Sequence, residues 1–204
     1  MDRKTLLVGL ASLLLIGVVA VGAFFFGGTG SIRGTVYGEP YPMASDFALV
    51  RSDGTNFQLS SMRGKIVLLF FGYTSCPDVC PTTLAELNQA LKGLREAEAK
   101  DVQVVFVTVD PQRDTQERAQ EYVNHFNAGF IGLSGTETEL QKVWSDYGIF
   151  REIVEGTSAA GYLVNHTARV TLIDRDGYMR LSFTFNTPVE DIVHDLKIVL
   201  NEKE

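Results

Sequence analysis

The sequence predicts an α/β domain with a mixed central sheet, preceded by one N-terminal transmembrane helix. Three observations carry this prediction: an uncharged run near the N-terminus, two continuous apolar runs typical of strands buried on both faces, and stretches of helical periodicity between and after them. The composition is that of a folded protein, because 45% of the 204 residues are apolar and only 6 are prolines. The net charge of −7 argues against a nucleic-acid-binding protein, which would normally present a basic face.

The uncharged run covers residues 5–26, and a helix of that length would span about 33 Å, enough for the hydrocarbon core of a membrane. Arg3 and Lys4 precede it, as the positive-inside rule expects for a cytoplasmic N-terminus. The alternative is a cleaved signal peptide, whose apolar region is usually shorter and ends in small residues, whereas this one ends in three phenylalanines. The predicted organisation is a cytoplasmic start at 1–4, a transmembrane anchor at 5–26, a linker at 27–44 and one domain at 45–204 on the periplasmic or extracytoplasmic side.

The hydrophobic pattern of the domain predicts its elements in order. Residues 65–71 and 102–109 are the two continuous apolar runs and predict buried strands. Leucines at every third or fourth position predict a helix over 81–98 between them. The other predicted elements are a hairpin over 47–59, helices at about 115–126 and 137–147, strands at 168–173 and 179–185, and a C-terminal helix that begins at Pro188.

Both cysteines, Cys76 and Cys80, lie in the segment TSCPDVCP between the first buried strand and the helix that follows it. Three structural interpretations stay open: two buried thiols, a disulfide that closes a short loop, or half of a zinc site. The chemical interpretation rests on the helix start, whose positive end stabilises a thiolate relative to a thiol. A pair of thiols in this place is suited to act as a nucleophile, a redox couple or a soft-metal site.

A buried strand that leads into a helix with both cysteines at its start is the layout of a thioredoxin-like fold, which we therefore predict. Two features depart from thioredoxin-type oxidoreductases: the spacing is CxxxC rather than CxxC, and no proline occurs between Pro111 and Pro188 to supply a cis-proline loop. The expected place of that loop, just before the penultimate strand, holds His166. A histidine that faces two thiolates is a ligand arrangement, whereas His125 and His194 are predicted to be solvated helix positions.

The segment before His166 is predicted to be mobile. Residues 155–161 contain two glycines, no large apolar residue and no periodicity. We expect a loop that delivers His166 to a metal rather than holding it in place.

The sequence resembles the Sco (SenC) family of membrane-anchored copper chaperones, which assist assembly of the copper centre of cytochrome c oxidase. The resemblance runs from about residue 45 to the C-terminus, and three blocks carry it: FGYTSCPDVCP at 71–81, DPQRDT at 110–115 and YLVNHT at 162–167. It implies that the metal ligands are Cys76, Cys80 and His166. One departure is Asn165, which stands where the family commonly has Asp and removes a carboxylate beside the metal.

The resemblance implies a copper-binding metallochaperone whose cargo is Cu(I) or Cu(II) and whose partner is the copper-bearing subunit of cytochrome c oxidase. The chemistry agrees, since two thiolates suit Cu(I), an added imidazole allows Cu(II), and three protein ligands leave a position open for transfer. Zinc would compete on ligand type alone. Asp78 in the cysteine loop and Asp110 after the second strand stay open, each either a group near the metal or a structural residue.

Two enzymes are the alternatives. A membrane-anchored thiol–disulfide reductase would use Cys76 and Cys80 as a redox pair that keeps the copper-ligand cysteines of the oxidase reduced. A peroxide-consuming enzyme shares the fold class, but its own motif, a cysteine with a supporting Thr and Arg, is absent from the sequence. His166 discriminates between carrier and reductase, because redox exchange needs no third ligand whereas a Cu(II) site does.

Overall fold

A six-stranded mixed sheet is the centre of the fold in the computed structural model, which describes residues 31–158 and 161–202. Its strands lie in the order β1 (Thr35–Val36), β10 (Met179–Thr184), β9 (Arg169–Ile173), β4 (Ile66–Gly72), β5 (Val102–Thr108) and β6 (Ile131–Leu133). β4, β5 and β6 are parallel to one another, whereas β9 pairs antiparallel with β4, β10 with β9, and β1 with β10. The predicted mixed sheet is therefore confirmed.

Helices and two small hairpins complete the described part of the chain. The helices are α1 (Val79–Lys92), α2 (Glu96–Lys100), α3 (Gln116–Asn124), α4 (Glu137–Asp146) and α5 (Val189–Asn201). The hairpins are β2 (Ala48–Val50) with β3 (Asn56–Gln58), followed by a 3₁₀ helix (Leu59–Met62), and β7 (Arg151–Ser158) with β8 (Gly161–His166). Most predicted elements lie within a few residues of their predicted bounds, and the exceptions have identifiable causes.

The core forms around the two central strands. All of β4 is buried, and so is β5 except for Gln103, as expected of parallel strands covered on both faces. Phe70 and Phe106 are register partners on these strands, with ring centroids 6.1 Å apart. Trp144 of α4 is also buried, and its indole N–H donates to the carbonyl of Thr108 at 3.0 Å. This bond fixes α4 to the end of β5, at the edge of the sheet where the cysteine loop begins.

The helix predicted over 81–98 is two helices, because α1 ends at Gly93. A Cβ at Gly93 would lie 2.9 Å from Cγ2 of Val193, so the glycine allows α1 and α5 to approach closely. The chain then restarts as α2 after Arg95, whose backbone N–H donates to the carboxylate of Glu98 at 2.9 Å. The leucine stripe continues across this break, which is why periodicity alone does not reveal it.

The stretch 155–161, predicted as a mobile loop, is mostly strand. β7 extends through Ser158 and β8 begins at Gly161, while residues 159–160 lie outside the described part of the chain. The two strands pair antiparallel in a sheet of their own, separate from the six-stranded sheet. The adjacent residues Ile153 and Val154 are both exposed. None of the described side chains of β7, at residues 151–155, is buried, so this part of the sequence lacks the alternation that predicts a strand.

Ordered packing begins before the predicted domain start at residue 45. β1 forms an edge of the main sheet, and the fully buried carboxylate of Asp195 on α5 accepts hydrogen bonds from the backbone N–H groups of Arg33 and Gly34 at 3.0 and 2.7 Å. Part of the predicted linker at 27–44 therefore packs on the domain. The sequence gives little sign of this, since β1 is only two residues long and its helical partner is far away in the chain.

We expect Asp195→Ala to destabilise the protein by about 1–3 kcal/mol, because the N–H groups of Arg33 and Gly34 lose their acceptor. Asp191→Ala is the matched control on the same helix, since it removes only a partly exposed ion pair with Arg33 and should cost less than about 1 kcal/mol. Urea unfolding followed by circular dichroism measures both losses. Equal losses in the two variants would contradict a stabilising role for the buried carboxylate.

No helix within the described residues is long and apolar enough to cross a membrane. The predicted cytoplasmic start at 1–4 and the anchor at 5–26 lie outside those residues. The transmembrane helix stays a prediction from the sequence.

Candidate metal and redox site

The two cysteines lie where β4 ends and α1 begins, as the sequence predicts. Cys76 is half-buried in the connecting loop, and Cys80 is fully buried in the first turn of the helix. The backbone N–H of Cys80 donates to Sγ of Cys76 at 3.4 Å, so the turn directs the first sulfur toward the positive end of the helix. Gly72 leaves room for the second sulfur, because a Cβ at this position would lie 2.9 Å from Sγ of Cys80.

The two thiols differ in acidity. A hydrogen bond from the Cys80 thiol, together with the N–H groups of Cys80 and Asp78, lowers the pKa of Cys76 to about 6, although partial burial acts in the opposite direction. The pKa of Cys80 is raised well above its usual value, because its thiol takes part in that hydrogen bond and is buried. At neutral pH the pair therefore consists of one thiolate that reaches the surface and one buried thiol.

His166, the last residue of β8, lies beside the buried thiol, with Nε2 3.7 Å from Sγ of Cys80. Its Nδ1 lies 3.2 Å from the carbonyl oxygen of Thr167. Because a carbonyl only accepts, Nδ1 is assigned the proton and Nε2 keeps its lone pair toward the sulfur. Burial lowers the pKa of His166, so the imidazole is neutral near pH 7. A neutral imidazole whose other nitrogen is anchored is the form that binds metals.

The three residues predicted as ligands meet at one groove. Cys76 and His166 line an open pocket of about 240 Å³, and Cys80 contacts both of them. The rest of the pocket wall is largely apolar, and the Tyr73 ring lies nearly perpendicular to the imidazole of His166, with 5.8 Å between the centroids. Within the described residues, no three His, Cys, Asp or Glu side chains are placed closely enough to hold a metal ion as they stand.

The other candidate residues of the sequence are either exposed to solvent or in contact with neighbouring side chains. Asp78 is exposed, lines the groove and makes no side-chain cap to α1. Asp110 is fully buried, and its carboxylate is engaged by two side chains from neighbouring segments rather than turned to the thiols. His125 is exposed at the end of α3, whereas His194 is half-buried and contacts Asp195.

Asp114 is a supporting residue of the site that sequence reasoning missed. Its fully buried carboxylate accepts hydrogen bonds from the backbone N–H and the hydroxyl of Thr74, at 3.0 and 2.6 Å, and from the hydroxyl of Thr108 at 2.6 Å. Burial raises the pKa of Asp114, while these hydrogen bonds oppose the rise. The bonds fix the start of the cysteine loop two residues before Cys76. The DPQRDT block contains this aspartate, but the block alone shows no role for it.

A parallel strand that runs into a helix bearing a CxxxC pair, within a mixed sheet, defines a thioredoxin-like thiol protein. The chain belongs to the SCO1/SenC family, whose family model matches residues 36–201. The family resemblance that the three sequence blocks carry is therefore confirmed.

Relatives and solved structures agree with this family. The chain is 32% identical over 163 residues to a SCO2-like protein of Rickettsia felis, which is 79% of each chain. It is similar to the solution structure of apo Sco1 from Thermus thermophilus, at 37% identity and a TM-score of 0.74, covering 83% of this chain and 97% of that one. It is also similar to Bradyrhizobium japonicum ScoI with copper bound, at 36% identity and a TM-score of 0.69, covering 77% and 99% of the two chains.

Proposed function

We propose that this protein is a copper-binding metallochaperone that delivers copper to the copper centre of cytochrome c oxidase during its assembly. The observation that carries the proposal is the approach of Nε2 of His166 to 3.7 Å from Sγ of Cys80, beside a groove that Cys76 also lines. Membership of the SCO1/SenC family supports it, as does the similarity to a ScoI that has been solved with copper bound. Copper is the cargo, and its proposed ligands are Cys76, Cys80 and His166.

The donor set fits both oxidation states of copper. Two thiolates satisfy the soft, low-coordinate Cu(I) ion, and the imidazole extends the set toward Cu(II). Three protein ligands beside an open groove leave one side of the metal accessible to the ligands of an acceptor. Asn165, which replaces the acidic residue common in the family, is exposed at the groove and brings no negative charge to it.

Copper titration of the reduced, metal-free protein tests this proposal. We expect one Cu(I) to bind per chain and to release about one proton near pH 7.5, because Cys76 is already a thiolate, His166 is neutral and Cys80 still holds its proton. Below the Cys76 pKa of about 6, the number of protons released on Cu(I) binding should rise to about two. The Cu(I) affinity should then fall about 100-fold for each unit by which the pH is lowered, rather than tenfold.

An unbuffered titration with a pH indicator counts the protons, and competition with a Cu(I) chelator gives the affinity. Zinc is the matched comparison, since it also takes thiolate and imidazole ligands. A copper affinity that stays flat between pH 8 and pH 5 would remove both cysteines from the site.

We also propose that residues 5–26 anchor the protein and that the domain lies on the periplasmic or extracytoplasmic side of the membrane. The uncharged run and the two cations before it support this arrangement. We expect the protein to stay in the membrane fraction after washing with alkaline carbonate, as an integral protein does. Recovery of a released chain that begins near residue 30 would show cleavage and contradict the anchor.

A thiol–disulfide reductase is the second candidate function, and the unequal acidity of the two thiols favours it. The accessible Cys76 thiolate would attack a disulfide of the target, and one target sulfur would leave as a thiolate. The buried Cys80 would then lose its proton and attack Sγ of Cys76 in the mixed disulfide, so that the second target sulfur leaves as a thiolate. The target, once its sulfurs take up protons, is left with two thiols, and this protein with a Cys76–Cys80 disulfide. Two electrons pass from the pair to the target.

A further inference from the structure

The β7–β8 hairpin, which carries His166, is attached to the rest of the domain at the end of β5. It forms a two-stranded sheet of its own and is not hydrogen-bonded as a strand to the six-stranded sheet. The position of His166 relative to the thiols therefore depends on side-chain contacts that hold the hairpin. Both of its strands make such contacts with Val109 and Asp110, which directly follow β5.

The β8 strand is held by a closed set of three side chains. Arg113 pairs through Nε with Oδ2 of Asp110 at 2.5 Å and donates through Nη1 to the backbone carbonyl of Tyr162 at 2.9 Å. Its guanidinium carbon lies 3.7 Å from the centroid of the Tyr162 ring, close enough for a cation–π contact. The hydroxyl of Tyr162 donates to Oδ1 of Asp110 at 2.7 Å, which closes the set. Each member contacts the other two.

This set is placed to fix the hairpin. Asp110 is fully buried and the Arg113 side chain is 18% exposed, so removing Arg113 would take the ion-pair partner from a buried carboxylate. Tyr162 and His166 are four residues apart on one strand and therefore face the same side, about 13 Å apart along the chain. On the other strand Arg151, the register partner of His166, donates through Nε to the carbonyl of Val109. The hairpin is thus held on both strands, through Tyr162 on β8 and, beside His166, through Arg151 on β7.

We propose that Asp110, Arg113 and Tyr162 form a latch that holds the β7–β8 hairpin against the end of β5 and thereby sets the distance between His166 and the two cysteines. They are positioning residues, because they act through His166 rather than on the metal. The latch itself stands on the contacts of Asp110 and Arg113, in the segment after β5, with Tyr162 of the hairpin, while its effect on copper rests on the proposed function. Loss of the latch would let the imidazole leave the thiols, while Asp114 still holds the start of the cysteine loop. Arg113 also lies 5.7 Å from the ring centroid of Tyr73, so Tyr162→Phe is the variant that keeps this second contact.

The latch is tested first without copper. Arg113→Ala in the reduced, metal-free full-length protein should speed amide hydrogen exchange of residues 162–166 about tenfold or more, while the amides of β4 keep their parent rates. Tyr162→Phe is the milder variant, since it removes only the hydroxyl bond to Asp110 and keeps the ring under the guanidinium, and it should give a smaller increase. Arg180→Ala is the matched control, because Arg180 is 17% exposed, pairs with Glu202 and lies 4.3 Å from the Tyr41 ring centroid, outside the hairpin. If both Arg113→Ala and Tyr162→Phe kept the parent exchange rates at residues 162–166, the latch would be overturned.

The second measurement adds copper. Arg113→Ala should weaken Cu(II) binding about tenfold or more and shift its sulfur-to-copper absorption, with Cu(I) affinity within about threefold of the parent. The control variant Arg180→Ala should match the parent in its binding of both Cu(II) and Cu(I). Fast exchange in the hairpin with an unchanged Cu(II) spectrum would overturn the positioning of His166. If the parent itself bound no copper, the proposed function would fail while hydrogen exchange still decided the latch.

Discussion

Replacing either cysteine by serine should abolish tight copper binding in both oxidation states, because a hydroxyl is a poor ligand for a soft metal. We expect the affinity for Cu(I) to fall on the order of a thousandfold or more, equivalent to about 4 kcal/mol. Cys76→Ser and Cys80→Ser should both show this loss, although their surroundings differ. Chelator competition with the reduced protein measures the Cu(I) affinity, and the visible spectrum reports the Cu(II) site.

The two serine variants should differ in stability, which separates loss of a ligand from loss of the fold. Cys80 is fully buried, and its sulfur lies in the room that the missing side chain of Gly72 leaves. A serine hydroxyl there needs a hydrogen-bond partner, so Cys80→Ser should lower the free energy of unfolding by about 1–3 kcal/mol. Cys76 is half-buried in the loop, and its replacement should leave the unfolding midpoint nearly unchanged. Ser75→Ala is the matched control beside the pair and should bind copper like the parent. Parent-like copper affinity in either serine variant would show that the thiol pair is not the site.

The central elements could be predicted because their causes are local. β4 and β5 are buried on both faces, so their sequences are continuous apolar runs. The capping box at Thr136 starts α4 through reciprocal bonds with Glu139, and both residues are visible in the sequence. Short edge strands lack such a signal: β6 is three residues long, and no apolar pattern marks so brief a strand. Length and burial therefore decide which elements the sequence reveals.

The residues of the candidate site likewise divide into those that the sequence predicts and those that it does not. Cys76 and Cys80 lie within one turn, so their meeting at a helix start follows from the sequence between them. His166 could be placed near them because the strand order of the fold brings the segment before β9 to the same edge of the sheet. Arg113 and Tyr162 are 49 positions apart in the chain and meet through a cation–π contact and one hydrogen bond to a backbone carbonyl. No periodic pattern in the sequence signals such a pair. The proximity of the three candidate ligands was therefore predictable, whereas the contacts that position the hairpin were not.

His166→Ala should separate a copper carrier from a reductase. We expect Cu(I) affinity within about tenfold of the parent, because two thiolates can satisfy a low-coordinate soft ion. Cu(II) binding should weaken about 100-fold or more, with altered sulfur-to-copper absorption, since the imidazole that lies 3.7 Å from Sγ of Cys80 is gone. Absorption spectroscopy during Cu(II) titration measures the second effect, and His125→Ala, at an exposed histidine at the end of α3, is the matched control.

Thiol–disulfide exchange should survive the same substitution. Burial lowers the pKa of His166, so the imidazole is neutral near pH 7 and lends no positive charge to the thiolate. The pKa of Cys76 is lowered instead by the Cys80 thiol and the backbone N–H groups of the loop, all of which remain in His166→Ala. Exchange with a small disulfide reporter should therefore keep its rate within about threefold at pH 7. A variant that binds Cu(II) like the parent would remove His166 from the metal site and favour the reductase. Loss of Cu(II) affinity with exchange intact would assign the imidazole to metal binding alone, because the redox pair needs only its two sulfurs.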